Sequence, residues 1–264
     1  MKTYDEKAQN PVVVGIMESL SVRKSRRSLM KGAAMGAAGL ATIGIGTLVL
    51  PKGAVHASGG GGEKSETSIK EIFSIAATAE RLAVTTYTHG IANAHKLGIS
   101  GDHLTYLKAA LVEEQIHELF FEANGGVALT STFSYPHGPQ TFESLQLFIE
   151  TQQQLEGVFD SAFLAAIKEF AYMGQPILAQ IAGEIACIES EHRALGRVIG
   201  KLDPADNWAF APVFVESVSD GPGALAAAGY LTPKGHNSFT YQQVSTDFPG
   251  IMFRKPHMVG EDND

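Results

Sequence analysis

The chain has 264 residues, 44% of them hydrophobic and 18% charged, so it has enough apolar side chains to form a core and is not disordered. Its single cysteine, Cys187, excludes a disulfide framework and any multi-cysteine zinc or iron–sulfur site within one chain. The formal net charge is −8, and residues 58–264 contain 25 Asp and Glu against 12 Lys and Arg, which argues against nucleic acid as a partner and permits metal cations.

The basic N-terminal segment predicts an export signal rather than a folded part. Arg26 and Arg27 precede an uncharged, glycine-rich stretch, Gly32–Leu50, and a small-residue cleavage pattern ends at Ala57. The arginine pair resembles the twin-arginine export motif, with a Sec signal or an uncleaved membrane anchor as alternatives. We therefore expect a twin-arginine-type signal at 1–57, a linker at 58–67, a periplasmic or extracellular location, and membrane contact only through an uncleaved signal.

Four long stretches with apolar residues three or four positions apart predict helices. Ser68 and Glu71 have the spacing of a capping box at the start of the first stretch, and Asp102 is the expected N-cap of the second. Glycines follow the second and fourth stretches and separate the third from the fourth, where helices commonly end. The predicted helices are residues 68–96, 103–123, 141–172 and 176–199.

These helices predict an all-α protein, most simply an antiparallel four-helix bundle over residues 68–200, since no strand-like alternation interrupts them. Short connections within each pair indicate two antiparallel hairpins. Residues 124–140 are long enough to cross the length of the bundle and to set the third helix parallel to the second.

The C-terminal residues 201–264 predict an irregular extension with one short helix near 223–230. The apolar content of this extension suggests that it wraps the bundle or a neighbouring subunit, so a homo-oligomer is compatible with the sequence. The aromatic residues on which this expectation depends are Trp208, Phe210, Phe214, Phe239, Phe248 and Phe253.

A glutamate interrupts the apolar pattern of each predicted helix: Glu80, Glu114, Glu156 and Glu189. The second and fourth glutamates have a histidine three residues later, His117 and His192, on the same helical face. Because Glu80 and Glu114 are 34 residues apart and Glu156 and Glu189 are 33 apart, the pattern Glu…Glu-x-x-His occurs twice. The sequence therefore contains an internal repeat of a helical hairpin.

A single glutamate on a helix is usually solvated, but four carboxylates at one level of a bundle are costly to bury unless positive charge compensates them. No lysine or arginine lies on the apolar faces at that level. Two divalent cations would supply four positive charges, and carboxylates with two imidazoles suit iron or manganese better than calcium or structural zinc. The sequence predicts two metal ions, either iron or manganese.

These residues give the segment 68–200 a resemblance to the di-iron carboxylate proteins of the ferritin-like superfamily. The run Gly183–Ala194 is particularly similar to the last helix of the exported ferritin-like domain group, which includes desiccation-related proteins. The resemblance implies that Glu114 and Glu189 bridge two metals, with Glu80 and Glu156 binding one each and His117 and His192 completing the shells.

The same resemblance implies reaction of a di-metal centre with O2, peroxide or Fe(II) in oxidative or desiccation stress. It favours iron, with manganese as the alternative, and it does not choose between a storage role and a ferroxidase, peroxidase or catalase-like di-iron or di-manganese oxidoreductase. The competing hypothesis is a non-enzymatic structural or stress-related protein that only binds metal or has lost it.

Residues near the predicted ligands have weaker signals. Tyr87, seven residues after Glu80, could hydrogen-bond a ligand or take part in redox chemistry, although an aromatic residue at this spacing is more often part of a core. Phe163 is its equivalent in the second half of the repeat. Glu118 and Glu184 are expected to point roughly inward, and Cys187 is expected to be a small buried residue.

Overall fold

The computed structural model describes residues 67–251 and residue 256, so the predicted signal and all but one residue of the predicted linker lie outside the described residues. The protein is all-α with a small two-stranded sheet, which confirms the predicted fold class. The helices are α1 (Ile69–Ala92), α2 (Ala94–Leu97), α3 (Asp102–Ala123), α4 (Leu145–Tyr172), α5 (Pro176–Ile199) and α6 (Gly221–Ala227); 3₁₀ helices span Gly138–Phe142 and Val218–Asp220, and the strands are β1 (Thr132–Phe133) and β2 (Phe239–Thr240). Across residues 67–251, no helix is both long and apolar enough to cross a membrane.

The first predicted helix is two helices, because the chain breaks at Asn93. The backbone N–H of Asn93 donates to the carbonyl of His89 at 3.1 Å, and its side-chain amide donates to the same oxygen at 2.9 Å. Ser68 caps the start of α1 as predicted, since its hydroxyl accepts from the backbone N–H of Glu71 at 3.2 Å.

Two predicted helix starts are wrong. Asp102 is the first residue of α3, and its N-cap is Gly101, whose φ of 57° makes the entry to the helix accessible mainly to glycine. Residues 138–142 form the 3₁₀ helix, and α4 begins only after Ser144, whose hydroxyl accepts from the backbone N–H of Leu147 at 3.5 Å. Sequence periodicity alone did not separate this tighter turn from the α-helix that follows.

The four long helices form two hairpins, α1 with α3 and α4 with α5. The connection between α3 and α4 runs along α1: Val127 N–H donates to Ser74 Oγ at 3.0 Å, Leu129 N–H donates to Thr78 Oγ1 at 2.8 Å, and further on the Tyr135 hydroxyl lies 3.0 Å from Thr86 Oγ1. The connection therefore carries the chain to the end of the bundle where α1 ends. Helix α4 starts there and runs parallel to α3, as predicted.

The core has two apolar clusters, one at each end of the bundle. One contains Leu82, Tyr87 and Phe148, and the other contains Phe73, Phe163 and Phe170. Positions 80, 114 and 189 lie between these clusters along their helices, and position 156 lies at the edge of the first cluster, beside Leu155 and Val158 and before Phe163 of the second. Apolar packing on both sides therefore holds the four helices in register at the level of the glutamates.

The described part of the C-terminal extension wraps its own bundle. Strand β2 pairs antiparallel with β1, with Phe133 opposite Phe239, and Val215 and Tyr230 are buried. The predicted short helix is α6, which begins at Gly221. Phe210 is not part of this packing, because it is 91% exposed, and Phe253 lies outside the described residues.

The hydroxyl of Ser161 on α4 anchors this extension, because it accepts from the backbone N–H groups of Phe214 at 2.8 Å and Val215 at 3.0 Å. Ser161→Ala would leave two backbone donors without this partner, so we expect it to lower the free energy of unfolding by about 1–3 kcal/mol. Urea denaturation measures this change, and Ser100→Ala at an exposed loop position is the control. Equal stability of the two variants would contradict the proposed anchor.

Candidate metal centre

The structure brings all six predicted ligands to one level of the bundle. Helix α1 contributes Glu80, α3 contributes Glu114 and His117, α4 contributes Glu156, and α5 contributes Glu189 and His192. Each glutamate is at most 1% exposed. The three-residue spacing in α3 and α5 places each histidine one turn from its glutamate on the same inward face.

The six side chains form two overlapping groups of donors. The first is Glu80, Glu114, His117 and Glu189, the second is Glu114, Glu156, Glu189 and His192, and within each group one ligand atom per residue lies within 4.8 Å of all the others. Nδ1 of His117 lies 3.5 Å from Glu114 Oε2 and 3.6 Å from Glu189 Oε1. Glu114 and Glu189 belong to both groups, which is the position that a pair of bridging carboxylates would occupy.

The donor atoms of these groups lack protein partners. Of the described side chains, those with buried, unpaired atoms include both oxygens of Glu80, Glu114 and Glu189, Oε2 of Glu156, and Nδ1 of both histidines. Nδ1 of His192 approaches Glu114 Oε1 to 3.0 Å, but without the angles of a hydrogen bond. Buried polar atoms normally have a hydrogen-bond partner. A cluster of nine buried oxygen and nitrogen atoms without such a partner is therefore compatible with a bound cation.

Neither of the two arginines that neighbour candidate ligands in sequence neutralises the cluster. Arg81, next to Glu80 in sequence, binds Glu118 at 2.9 Å and also pairs with Glu122. Arg193, next to His192, donates to Asn207 and stacks on the ring of Trp208. The residues present therefore fit bound metal cations, and the cluster is compatible with a metal site.

Electrostatics within the cluster favour bound protons in the absence of metal. Burial and the charges of Glu114 and Glu189 raise the pKa of Glu80 well above its usual value, and burial with the same two charges raises the pKa of Glu156. Burial opposes ionisation of Glu114, but the positive charge of His192 and the polar interactions with His117, His192 and Glu80 together outweigh it and lower the pKa of Glu114. Burial also disfavours the charged form of His192, yet Glu114 and Glu113 outweigh that effect and raise its pKa.

Three residues hold Glu156 and His192 in place; we call Tyr87, Gln152 and Glu113 the supporting residues. The Tyr87 hydroxyl donates to Glu156 Oε1. Gln152 Nε2 donates to the Tyr87 hydroxyl at 3.2 Å, to Glu156 Oε1 at 3.4 Å and to the backbone carbonyl of His192 at 2.8 Å. Glu113 Oε2 bonds Nε2 of His192 at 2.8 Å, which leaves Nδ1 facing the other ligands.

The sequence indicated only part of this support. Tyr87 hydrogen-bonds a candidate ligand, which was one of the two roles considered for it from the sequence. The hydrogen bonds of Gln152 and Glu113 to the candidate ligands were not predicted. A polar residue one helical turn before Glu156, at a buried position, was the available signal for Gln152. Gly196 was also missed: a Cβ there would collide with the Gln152 amide, so glycine makes room for it.

Other predicted placements differ from the structure. Glu118 is buried, but it binds Arg81 and accepts from Gln115 at 2.8 Å instead of facing the cluster. Glu184 is half-buried and accepts from Gln180 at 3.0 Å. The predicted burial of Cys187 is wrong, because its side chain is exposed on the face of α5 opposite to Glu189.

The raised pKa values of Glu80, Glu156 and His192 predict that metal binding releases protons, since each group must lose its proton to become a ligand. The metal affinity should therefore increase as the pH rises. Calorimetric titration with Mn(II) near neutral pH, in two buffers of different ionisation enthalpy, measures the number of protons released. An apparent enthalpy that is the same in both buffers would contradict the assigned protonation.

The sequence matches the family model described as a ferritin-like domain over residues 69–200, which is half of the chain and includes all six candidate ligands. Comparison with curated proteins and with solved structures gives no significant match. The matched range begins with α1 and ends one residue after α5, so it is the four-helix bundle itself. The chain belongs to the ferritin-like domain family.

Proposed function

We propose that this protein binds two iron ions at the six-residue cluster and acts as an oxidoreductase that oxidises Fe(II) with O2 or peroxide. The observation that carries the proposal is the convergence of nine unpaired, buried donor atoms from four carboxylates and two imidazoles. A mixed set of carboxylate oxygens and imidazole nitrogens suits iron, with manganese as the alternative. Glu114 and Glu189 would bridge the two ions, and the remaining four residues would bind one ion each.

The residues explain how such a centre could work. An iron pair, when bound, supplies one-electron redox steps: oxidation of two Fe(II) ions to Fe(III) delivers two electrons to O2, which takes up two protons and leaves as hydrogen peroxide. Glu114 and Glu189 would hold both ions, and these residues lie on helices rather than on loops, which fixes their positions. Near-complete burial of the four carboxylates excludes bulk water and strengthens their interaction with the cations.

Burial of the four carboxylates is also compatible with a second, non-enzymatic function. Carboxylates that are at most 1% exposed could hold metal tightly without admitting a substrate, which would make the bundle a metal-stabilised structural or stress-related protein. Oxidation activity of the metal-loaded protein separates the two functions. A role in oxidative or desiccation stress is proposed here on the sequence resemblance alone.

Metal content and activity should both depend on the bridging residues. Wild-type protein loaded with iron should contain about two ions per chain by elemental analysis, as expected for this ligand set, and should oxidise Fe(II) faster than buffer alone. Glu189→Ala should lose most bound metal and activity, because both ions use Glu189. Glu191→Ala, two residues away on the exposed face, is the matched control and should keep both.

Absence of transition metal in wild-type protein after supply of iron and manganese would contradict the proposed centre. Two bound ions with no Fe(II) oxidation or peroxide turnover would favour the structural alternative. Equal metal loss in Glu189→Ala and Glu191→Ala would indicate a general effect on folding rather than a specific one on the ligands.

Export is part of the proposal and depends on residues 1–57, which lie outside the described residues. The pair Arg26 and Arg27 before a weakly hydrophobic segment supports the twin-arginine route, which exports proteins that have already folded. Replacing both arginines with lysine should retain the protein in the cytoplasm, as fractionation and immunoblotting would show. Normal export of this variant would argue for the Sec route, and a mature N-terminus well before Ala57 would argue for a different cleavage site.

A further inference from the structure

The internal repeat makes it possible to compare the two ion positions residue by residue. Residues of α1 correspond to residues of α4 76 positions later, as Glu80 corresponds to Glu156. Residues of α3 correspond to residues of α5 75 positions later, as His117 corresponds to His192. Every candidate ligand therefore has an identical counterpart in the other half. The residues around the ligands can be tested for the same symmetry.

All three supporting residues have apolar counterparts in the other half. Tyr87 corresponds to Phe163, Gln152 to Ala76, and Glu113 to Ile188. Polar side chains therefore hold only the ligands of the second half, Glu156 and His192. The corresponding positions around Glu80 and His117 are apolar.

This difference is visible in the contacts of the ligands. Glu156 Oε1 accepts from Tyr87 and Gln152 while Oε2 is unpaired, and His192 is held through Nε2 while Nδ1 is unpaired. Each of these ligands thus has one atom fixed by the protein and one presented to an ion. In the other half, both oxygens of Glu80 lack a hydrogen-bond partner, as does Nδ1 of His117.

The side chains beside Glu156 and His192 are also packed more closely than those beside Glu80 and His117. The space beside Tyr87, Gln152 and Gly196 is a cavity of about 10 Å³. The corresponding space is larger, about 40 Å³, and apolar side chains line it, including Ala76, Phe121 and Phe163. Ala79, next to Glu80 in sequence, also lines it. The apolar side chains around this cavity therefore give Glu80 no hydrogen-bond partner on this side, and they are less closely packed than the residues around the smaller cavity.

Access to solvent also differs between the halves. The His117 side chain is 12% exposed, whereas that of His192 is 1% exposed. An ion at the position of Glu80 and His117 would therefore lie nearer to the surface than an ion at the position of Glu156 and His192.

From this asymmetry we infer that the two ion positions are unequal: the position with Glu156 and His192 binds its ion first and retains it, and the position with Glu80 and His117 binds second and exchanges its ion. Ligands already held in the binding geometry lose less conformational freedom when the ion binds. Residues that hold metal ligands are commonly worth 10- to 100-fold in metal affinity. We therefore expect the two dissociation constants to differ by at least about tenfold.

The inference rests on the two-ion site of the proposed function and refines it. Under that function, the retained ion would be the resident cofactor and the ion at Glu80 and His117 would be the Fe(II) substrate. After oxidation, the product ion would leave by the side on which His117 reaches solvent, and a second Fe(II) ion bound there would reduce the retained ion again, so that two substrate ions supply the two electrons that O2 takes up.

Anaerobic titration of metal-free protein with Mn(II), followed by native mass spectrometry and calorimetry, tests the order of binding. Wild type should bind one ion tightly and a second at least about tenfold more weakly. His117→Ala should keep the tight ion and lose the weak one, while His192→Ala should lose the tight ion. Two equal affinities in wild type, or the reverse assignment in the variants, would overturn the inference.

A matched pair of variants tests the cause of the difference. Tyr87→Phe removes only the hydroxyl that holds Glu156 and should weaken the tight position about tenfold without changing the weak one. Phe163→Tyr adds a hydroxyl at the corresponding place beside the other half and should narrow the ratio of the two constants. Circular dichroism and thermal melts check that both variants fold. If folded Tyr87→Phe bound both ions more weakly by the same factor, the Tyr87 hydroxyl would not support the tight position selectively.

The two proposals fail separately. Fe(II) oxidation by a protein that binds both Mn(II) ions equally would leave the proposed function in place and remove the inference of unequal positions. Ordered binding of two ions without Fe(II) oxidation would remove the proposed oxidoreductase and leave the unequal positions.

Discussion

Four carboxylates buried at one level of the bundle are the constraint on which the rest of this structure depends. Each buried charge costs several kcal/mol unless it is compensated, and the nearest arginines in sequence, Arg81 and Arg193, bind other partners. The chain reduces this cost without metal by keeping protons on some of the ligands, as the raised pKa values of Glu80 and Glu156 indicate. A metal pair would replace those protons with four positive charges, which is why the cluster has the chemistry of a metal site rather than of a salt bridge.

The fold meets this constraint by repeating one hairpin. Within each hairpin the antiparallel helices bring a lone glutamate opposite a Glu-x-x-His pair. The connection along α1, held by Ser74 and Thr78, then places the second hairpin so that its glutamates lie at the same level as those of the first. The pairing of β1 with β2 ties the C-terminal extension to this same connection. The extension therefore secures the segment that sets the relative position of the two hairpins.

The sequence predicted the ligands better than their surroundings, for a physical reason. A glutamate on an apolar helical face is conspicuous, and its recurrence with histidine three residues later is a local pattern that one sequence can reveal. The role of Gln152 on α4 depends on Tyr87 in α1 and on His192 and Gly196 in α5, so it involves three helices that one sequence pattern does not connect. Cys187 was misplaced because one small residue between apolar neighbours does not reveal which way it faces. The break at Asn93 depends on side-chain bonding to the helix end, which periodicity does not encode.

The two halves of the repeat have the same candidate ligands and different surroundings. Symmetric ligands preserve the charge needed to hold two ions, whereas the apolar counterparts Phe163, Ala76 and Ile188 leave one half without the hydrogen bonds that the other half has. Restoring symmetry with polar residues would fix both ions more firmly, but a centre that takes Fe(II) as a substrate needs one position from which the product can leave. A fully apolar surround would leave both ions weakly held. Retention and exchange are opposite demands, and a two-ion site can meet both only if its halves differ.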